Sequence, residues 1–489
     1  MSFVDGNFPP FLLLVLLAWW LTRERYWLRL TLLLIGSFYF YGAGRWWWLY
    51  LMLGYCLVDW GTGRWLEVTR HRKRVLILGV GFNLGVLSFW KYTPLVVATL
   101  AQIAGWPPPA FAQSLADRWV IPMGVSFYAF TGISYMVDVY RGTFPAEKSF
   151  WRYALFTSFF PHLVAGPILR ASEFLYHLQP ERLLTKMPIS WEGGFLIARG
   201  FFKKMVLADS IAAAIDPFFA HVGDASTAGA WSLPYVYLYA FQILFDFSGY
   251  TDIARGLGLW FGFRWPENFN APYVATSIQD FWRRWHMTLS RFLRDYLYIA
   301  LGGNRHGPWR AAAALMITML LGGLWHGASW TFMLWGGLHG VFLVINRLWG
   351  ATALQQRLAA ATGAPGLAWR AARVALTFNA VCFAWCFFRL TSLPDSFACL
   401  EKWVSFDPAQ MFAGGAGDPG VWLPLAAYAA AVIAARALTG GAALPQAVEQ
   451  FHSRPLWRGA MWGGAVGVLL IAIALAPPLR TTPFIYFQF

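Results

Sequence analysis

Apolar stretches of nearly membrane-spanning length recur along this 489-residue chain. They cover residues 8–22, 27–43, 46–60, 75–92, 119–137, 153–169, 192–213, 230–247, 311–348, 371–390, 421–438 and 459–477. A helix needs about 20 residues to cross the hydrocarbon core. Backbone groups cannot bond to water in lipid, and no strand-like alternation is present, so the spanning elements must be helices. The sequence predicts an all-α polytopic membrane protein with about eleven transmembrane helices, the other windows being re-entrant or interfacial.

The charged residues indicate how the chain is oriented in the lipid bilayer. Only 12% of residues are charged, against about a quarter in soluble domains. The net charge of +15 is concentrated in short basic clusters between apolar windows, which is typical of orientation signals rather than of nucleic-acid binding. Clusters at 23–29 and 64–74 place the first and third loops in the cytoplasm and the N-terminus outside. No basic residue precedes the first window and no cleavage pattern follows it, so we interpret it as a retained span.

The four cysteines do not suggest a metal site or a disulfide framework. Cys56, Cys382, Cys386 and Cys399 are too few and lie too deep in apolar sequence. A buried cysteine usually behaves as a small hydrophobic residue. We therefore expect no metal and assign these side chains to packing.

The apolar pattern is interrupted between residues 246 and 310, and this segment is predicted to be the functional centre. Within it, TSIQDFWRRWHMTLSRFLRDYLYIALGG (276–303) predicts one amphipathic helix, capped by Ser277 with Asp280 in its first turn and ended by Gly302 and Gly303. The apolar stripe consists of Phe281, Trp285, Leu289, Phe292 and Tyr296. The opposite face carries Arg283, His286, Ser290 and Arg294. Such a helix is expected to lie along the membrane surface, with its basic face toward water or phosphate.

Four arginines of this segment admit two interpretations. Arg283, Arg284, Arg291 and Arg294 either anchor the segment at the cytoplasmic surface or bind the phosphates of coenzyme A or of a carrier's pantetheine arm. A forked guanidinium suits both roles, and spacing alone does not choose between them.

The nearly uncharged stretch 311–349 contains two histidines and is too long for one span. In a straight helix His326 and His339 would be about 20 Å apart along the axis. Gly322, Gly323 and Gly327 surround His326 and would let another backbone or a thin acyl chain approach the ring. His326 is therefore either an interhelical hydrogen-bonding residue or a proton acceptor. For His339, packing is the favoured interpretation.

A family resemblance rests on motifs that run in order from about residue 120. They are IPMGVSFYAFTGISYMVDVYRG (121–142), FFPHLVAGPILR (159–170), GFFKKMVLADS (200–210), the stretch from DFSGYTDIA to LYIALGGNR (246–305), GGLWHGASWTF (322–332) and FIYFQF (484–489). On these motifs the chain resembles the membrane-bound O-acyltransferase family, in its bacterial alginate-acetylating branch. The resemblance implies a helical bundle around a central tunnel in a bacterial inner membrane. It also implies acetyl-CoA as the donor with no tightly bound cofactor, a periplasmic acetyltransferase partner and an exopolysaccharide acceptor.

The resemblance also assigns roles to individual residues. His326, in WHG, matches the family's characteristic histidine and is expected to be a general base, with a covalent acetyl-imidazole as the open alternative. His286, in RRWH, is expected to orient the thioester or polarise its carbonyl. Trp325, Asn268 and Asp246 are assigned to the donor site, although Asn268 and Asp246 would equally serve as helix caps or as partners of buried backbone.

We expect one domain over residues 1–489, with N-terminal spans at 1–118, a catalytic core at 119–349 and C-terminal spans at 350–489. Two other functions stay open at this point. One is a teichoic acid D-alanyl transferase that takes its acyl group from a carrier protein. The other is a transporter or flippase-like scaffold that uses the tunnel without chemistry.

Overall fold

The computed structural model describes residues 1–106, 108–163, 166–184, 190–224 and 232–405, together with residues 467 and 484. Every regular element in these ranges is helical, which confirms the all-α class. The α-helices are α1 Phe8–Leu21, α2 Tyr26–Gly42, α3 Trp48–Val68, α4 Arg72–Ala104, α5 Pro109–Arg118, α6 Val125–Arg141, α7 Phe150–Ser158, α8 Phe160–Leu163, α9 Ala171–Phe174, α10 Pro180–Leu183, α11 Trp191–Phe201, α12 Asp209–Ala220, α13 Ser232–Trp260, α14 Ile278–Trp282, α15 Met287–Phe292, α16 Pro308–His326, α17 Trp330–Gly350, α18 Ala353–Ala360, α19 Gly363–Arg389 and α20 Leu393–Val404. Two 3₁₀ turns, Leu175–Leu178 and Pro272–Val274, and two π-helical segments, Phe202–Ala208 and Leu293–Tyr298, complete them.

Three described helices are long and apolar enough to cross a membrane, namely α4, α17 and α19. Helix α1 is apolar but has only 14 residues. The membrane character is therefore confirmed, and the number of about eleven spans stays a prediction. Apart from residue 467, the windows at 421–438 and 459–477 lie outside the described residues, as does FIYFQF apart from Phe484.

The chain forms two compact units. The first contains residues 1–188 and 261–381, and the second contains 189–260 and 382–488. Helix α19 belongs to the first unit up to Val381 and to the second from Cys382 onward. The expected single domain with boundaries near 118 and 349 stays a prediction.

In the first unit the long apolar stretch 311–349 is a helical hairpin. Helix α16 ends at His326, and α17 begins at Trp330 after a three-residue turn. The two helices touch backbone to backbone, because a Cβ at Gly323 would lie 2.3 Å from the Phe332 carbonyl oxygen and 3.0 Å from the Gly336 Cα. At the open end Arg347 donates to Asn304 Oδ1 at 2.9 Å. The stretch is therefore not one continuous helix, and of its two helices α17 is the one long and apolar enough to cross a membrane.

The predicted single helix over 276–303 is wrong, because it breaks at His286. Helices α14 and α15 are separated by residues 283–286, and His286 has a left-handed φ of 41°. Asn268 causes the break by accepting the amide hydrogens that begin α15: its carbonyl accepts from Met287 N at 2.9 Å and its side chain from Thr288 N at 3.1 Å. These bonds replace those of a continuous helix.

Other features of the predicted segment are confirmed. The Ser277 side chain accepts from Asp280 N as the N-cap. The apolar stripe is buried from Phe281 to Phe292, and Tyr296 is partly buried. Gly302 and Gly303 have φ of 105° and 55°, which the absence of a Cβ permits, and they lie in the turns that follow the helical segment.

In the second unit α11 crosses α13 where both present glycine. A Cβ at Gly200 would lie 2.5 Å from the Gly249 carbonyl oxygen, and one at Gly256 would lie 2.6 Å from that of Gly193. Seven residues separate the glycines in each helix, so they recur on one face after two turns. Small residues at these positions let the two backbones touch, which is the usual way for helices to associate in a membrane.

Candidate active site

The turn of the α16–α17 hairpin places His326 in the interior of the first unit. His326 is the last residue of α16, and Gly327 continues in extended conformation. Its imidazole is only 4% exposed. The ring packs edge-on against Trp325 at 4.8 Å and against Trp335 at 5.0 Å between centroids. A histidine at a helix end is not confined by a following turn, so its ring is held by these two indoles.

The break between α14 and α15 buries His286 completely. This corrects its expected place on a water-facing basic side of one helix. His286 Nδ1 lies 3.1 Å from Asn268 Oδ1, and that oxygen also accepts from the Thr288 backbone N–H at 3.1 Å and hydroxyl at 3.0 Å. A backbone N–H only donates, so the atom facing it is the amide oxygen, and His286 Nδ1 must carry a hydrogen. In the neutral ring, Nε2 then holds the lone pair.

Trp325 contacts both candidate histidines. Its ring centroid is 6.3 Å from that of His286 and 4.8 Å from that of His326. It also stacks on Phe130 at 5.1 Å, and Phe130 stacks on Phe292 at 4.2 Å. This aromatic stack connects α16 with α6 and α15. The structure thus brings together three residues that the sequence assigns to one site.

His339 is enclosed by aromatic rings. It stacks on Phe281 at 6.0 Å with nearly parallel planes, and Trp335 lies 4.9 Å away. The Trp282 indole N–H donates to His339 Nδ1 at 3.3 Å. These contacts join α14 to α17, in line with the packing interpretation. Because α16 and α17 fold back on each other, His326 and His339 share Trp335 rather than being separated along one helix.

Lysine and tyrosine side chains of α4 hold the end of α16. Lys91 Nζ donates to the carbonyl oxygens of Trp325 and, at 3.1 Å, His326. The Tyr92 hydroxyl donates to the Leu324 carbonyl at 3.0 Å. Sequence reasoning missed both residues, although a lysine inside an apolar span is itself a signal, since ionisable residues are costly there.

Three of the four arginines assigned to phosphate binding are paired with carboxylates. Arg284 pairs with Asp280 at 2.8 Å, Arg291 with Glu173 at 2.8 Å and Arg294 with Asp295 at 2.6 Å. Arg283 is exposed and makes no ion pair with any described residue. Three of the four arginines are therefore neutralised within the protein, and the role of Arg283 in phosphate binding stays a prediction.

A polar cluster links three of the motifs that carry the resemblance. The Tyr296 hydroxyl donates to Asp138 at 2.8 Å, and the guanidinium groups of Arg141 and Arg170 lie 5.6 and 5.4 Å from the Tyr296 ring centroid. Arg170 also pairs with Asp295. Sequence reasoning did not single out Asp138 or Arg170. Only the fold shows that VDVYRG, GPILR and RDYLY meet.

Asp246 belongs to the second unit. It is buried in the middle of α13, where it neither caps a helix nor begins one. Lys204 bridges it to Asp209, with both Nζ to Oδ1 distances equal to 2.8 Å. A second buried pair, Lys203 with Asp252, lies at 2.8 Å. GFFKKMVLADS and DFSGYTDIA thus supply complementary charges to one another, which explains why buried lysines are tolerated there.

Comparisons with known proteins identify the family of this chain. The profile of MBOAT, the membrane-bound O-acyltransferase family, matches residues 141–393. A Pseudomonas aeruginosa protein described as a probable alginate O-acetylase, AlgI, is 40% identical over 408 residues, which are 82% of this chain and 74% of the relative. This chain belongs to the membrane-bound O-acyltransferase family. The protein is therefore an acyltransferase, and the transporter alternative is wrong.

Other O-acyltransferases resemble the chain over different lengths. The peptidoglycan O-acetyltransferase of Helicobacter pylori is 35% identical over 404 residues, covering 77% of this chain and 73% of the relative. The teichoic acid D-alanyltransferase of Streptococcus thermophilus is 30% identical over 275 residues, covering 53% and 64%. The similarity to the two acetylating proteins thus extends further along the chain. The individual roles of His326 and His286 stay predictions.

Proposed function

We propose that this acyltransferase moves an acetyl group from cytosolic acetyl-CoA to a hydroxyl of a periplasmic exopolysaccharide, alginate-like or cellulose-like. The contact of both His326 and His286 with Trp325 carries the proposal. Both rings are buried, so a thioester that reaches them is shielded from water that would hydrolyse it. The relatives' activities, on alginate and on peptidoglycan, support a polysaccharide as the acceptor class.

His326 is the general base in this scheme. Its ring takes the proton of the acceptor hydroxyl while the oxygen attacks the thioester carbonyl. The tetrahedral intermediate then collapses, the carbon–sulfur bond breaks, and the thiolate receives the proton and leaves as free coenzyme A. Fixed contacts with Trp325 and Trp335 support this role, because a base must be held in one geometry to act. A covalent acetyl-imidazole on the same ring is the second route.

His286 is a positioning hydrogen-bond acceptor. Because Nδ1 donates to Asn268, the neutral ring presents a lone pair at Nε2 and has no hydrogen there to polarise a carbonyl. A pantetheine amide N–H or the acceptor hydroxyl would be oriented by this nitrogen. The polarising role expected from the sequence would require the imidazolium, and burying a charged ring is costly.

Arg283 contributes to donor binding through the phosphates of coenzyme A. Its exposed, unpaired guanidinium supports the assignment. The bundle of about eleven spans would surround a central tunnel in the inner membrane with the N-terminus in the periplasm. A periplasmic acetyltransferase would then receive the group or complete its delivery to the polymer.

The decisive experiment measures free thiol released from acetyl-CoA by the purified protein in nanodiscs, with and without deacetylated alginate oligosaccharide. We expect acceptor-dependent release by the wild type and loss of at least about a hundredfold in His326→Ala, the scale of general-base contributions. His339→Gln is the matched control, because it alters a buried histidine that contacts the same Trp335.

Each outcome decides a separate part of the proposal. Thiol release unchanged in His326→Ala would refute the role of that imidazole. Release that requires a D-alanyl carrier protein rather than acetyl-CoA would replace the donor and favour the teichoic acid reaction. Equal losses in His326→Ala and His339→Gln would indicate damage to the hairpin rather than loss of a base.

A further inference from the structure

Helix α16 ends inside the protein without a backbone cap. Its last turn contains Leu324, Trp325 and His326, whose carbonyl groups have no intrahelical partner. In the described part of the chain, no backbone N–H beyond His326 donates a hydrogen bond to the carbonyl groups of that turn, and Gly327 is extended. Buried carbonyl groups without water must find other donors, since each unsatisfied group is costly. The last turn of α16 would therefore fray unless another element supplied them.

Helix α4 supplies the donors from two adjacent residues. Lys91 donates to the carbonyls of Trp325 and His326, and Tyr92 donates to that of Leu324. The Lys91 ammonium is buried at 5% exposure and lies 5.8 Å from the Trp325 ring centroid. A cation is favoured at this end of a helix, because the aligned peptide dipoles leave partial negative charge there.

We propose that Lys91 is a positioning residue for the acyl-transfer reaction, holding the His326 backbone and the Trp325 ring in register through the end of α16. The inference rests on the proposed function, in which His326 is the base. Lys91 donates to the carbonyl of His326, the residue that carries the reacting ring, whereas Tyr92 donates to the carbonyl of Leu324. Lys91 therefore controls the direction of the last peptide group before the turn, and Tyr92 supports the helix above it.

The test compares substitutions at these two neighbouring positions. Lys91→Met keeps the approximate length of the side chain but removes its charge and its hydrogen bonds. Lys91→Arg keeps the charge and the hydrogen-bond donors. Tyr92→Phe removes one hydrogen bond from the same helix end. For each variant in nanodiscs, kcat and KM for acetyl-CoA would be measured by thiol release, together with thermal unfolding and hydrogen exchange of the segment 318–330.

We expect Lys91→Met to lower kcat at least tenfold while KM for acetyl-CoA changes less than threefold, with faster exchange in 318–330. Lys91→Arg should recover a large part of kcat, and Tyr92→Phe should retain kcat within threefold. A fall in stability without a change in kcat would refute the proposal and leave Lys91 a structural cap. Equal losses of kcat in Lys91→Met and Tyr92→Phe would also refute it, because the effect would then belong to the helix end as a whole.

The exchange measurement separates this proposal from the proposed function. If His326→Ala retained activity, the base assignment would fail whatever Lys91 does. Faster exchange in Lys91→Met would still show that α4 holds the end of α16. If Lys91→Met does not fold, Lys91→Gln removes the charge but keeps a neutral donor and so tests the cation alone. A kcat within threefold of wild type in that variant would contradict a need for the cation.

Discussion

Replacing Gly336 by alanine should force the α16–α17 hairpin apart, whereas the same change at Gly337 should not. A Cβ at position 336 would lie 2.3 Å from the Met319 carbonyl oxygen, where ordinary contacts are 3.4–4 Å. The obstacle is backbone, so the helices must separate by about 1 Å. At position 337 the nearest atom is Leu320 Cδ2 at 3.3 Å, the end of a flexible side chain.

The pair of variants isolates the cost of this overlap. Both gain about 1 kcal/mol of helix propensity on replacing glycine by alanine. Overpacking a tight contact costs about 1–3 kcal/mol, and only Gly336→Ala incurs it. The two variants should thus differ by about 1–3 kcal/mol in unfolding free energy. Activity should fall in Gly336→Ala as well, since the preceding residue, Trp335, contacts His326.

The assay is equilibrium unfolding in mixed micelles by SDS titration, followed by tryptophan fluorescence, with thiol release from acetyl-CoA as the activity measurement. Gly337→Ala serves as the control for helix propensity. Equal unfolding free energies for the two variants, or a less stable Gly337→Ala, would refute the backbone contact on which the prediction depends.

Three further predictions concern the polar residues around the site. Asn268→Leu should lower the acyl-transfer rate at least about tenfold, because His286 and Thr288 lose their acceptor, whereas Asn268→Asp keeps the oxygen and should retain more activity in the same rate assay. Burial raises the pKa of the Asp295 carboxyl, but Arg294 and Arg170 outweigh it and hold the pKa below its usual value. The stabilisation of the fold by the Asp295 ion pairs is therefore present above the unfolded pKa of about 3.9 and is lost as pH falls through the pKa of the folded state. Asp295→Asn should lower Tm at pH 7, and the difference in Tm from wild type should vanish in strong acid. Arg283→Ala should raise KM for acetyl-CoA about three- to tenfold, more at low salt, while Arg284→Ala, whose charge is already paired, should change KM less; equal effects would contradict the assignment.

The local parts of the fold follow from sequence patterns. Ser277 and Asp280 predicted a helix start, and the spacing from Phe281 to Phe292 predicted a buried stripe, because capping and helical periodicity depend on neighbours in the chain. The break at His286 did not follow, because its cause is Asn268, which lies 18 residues away and accepts the amides that would continue the helix.

Long-range contacts explain the residues that sequence reasoning missed. Lys91 precedes His326 by 235 residues, and no local pattern predicts which carbonyl a buried lysine contacts. The family resemblance identifies His326 and His286 as candidates but does not identify Lys91, whose side chain binds the His326 carbonyl. The resemblance assigns Asp246 to the donor site, which stays a prediction, and it does not reveal that Lys204 is its ion-pair partner.

The hairpin also brings together the chain segments that precede and follow it. Since α16 and α17 run in opposite directions and Asn304 meets Arg347 at their open end, the segments before residue 308 and after residue 350 lie at the same end of the hairpin. A single membrane crossing over residues 311–349 would place the following segment on the opposite side of the membrane from the preceding one. Two crossings would leave both segments on the same side. His326 therefore lies at the turn of the hairpin, at the end opposite to these two segments.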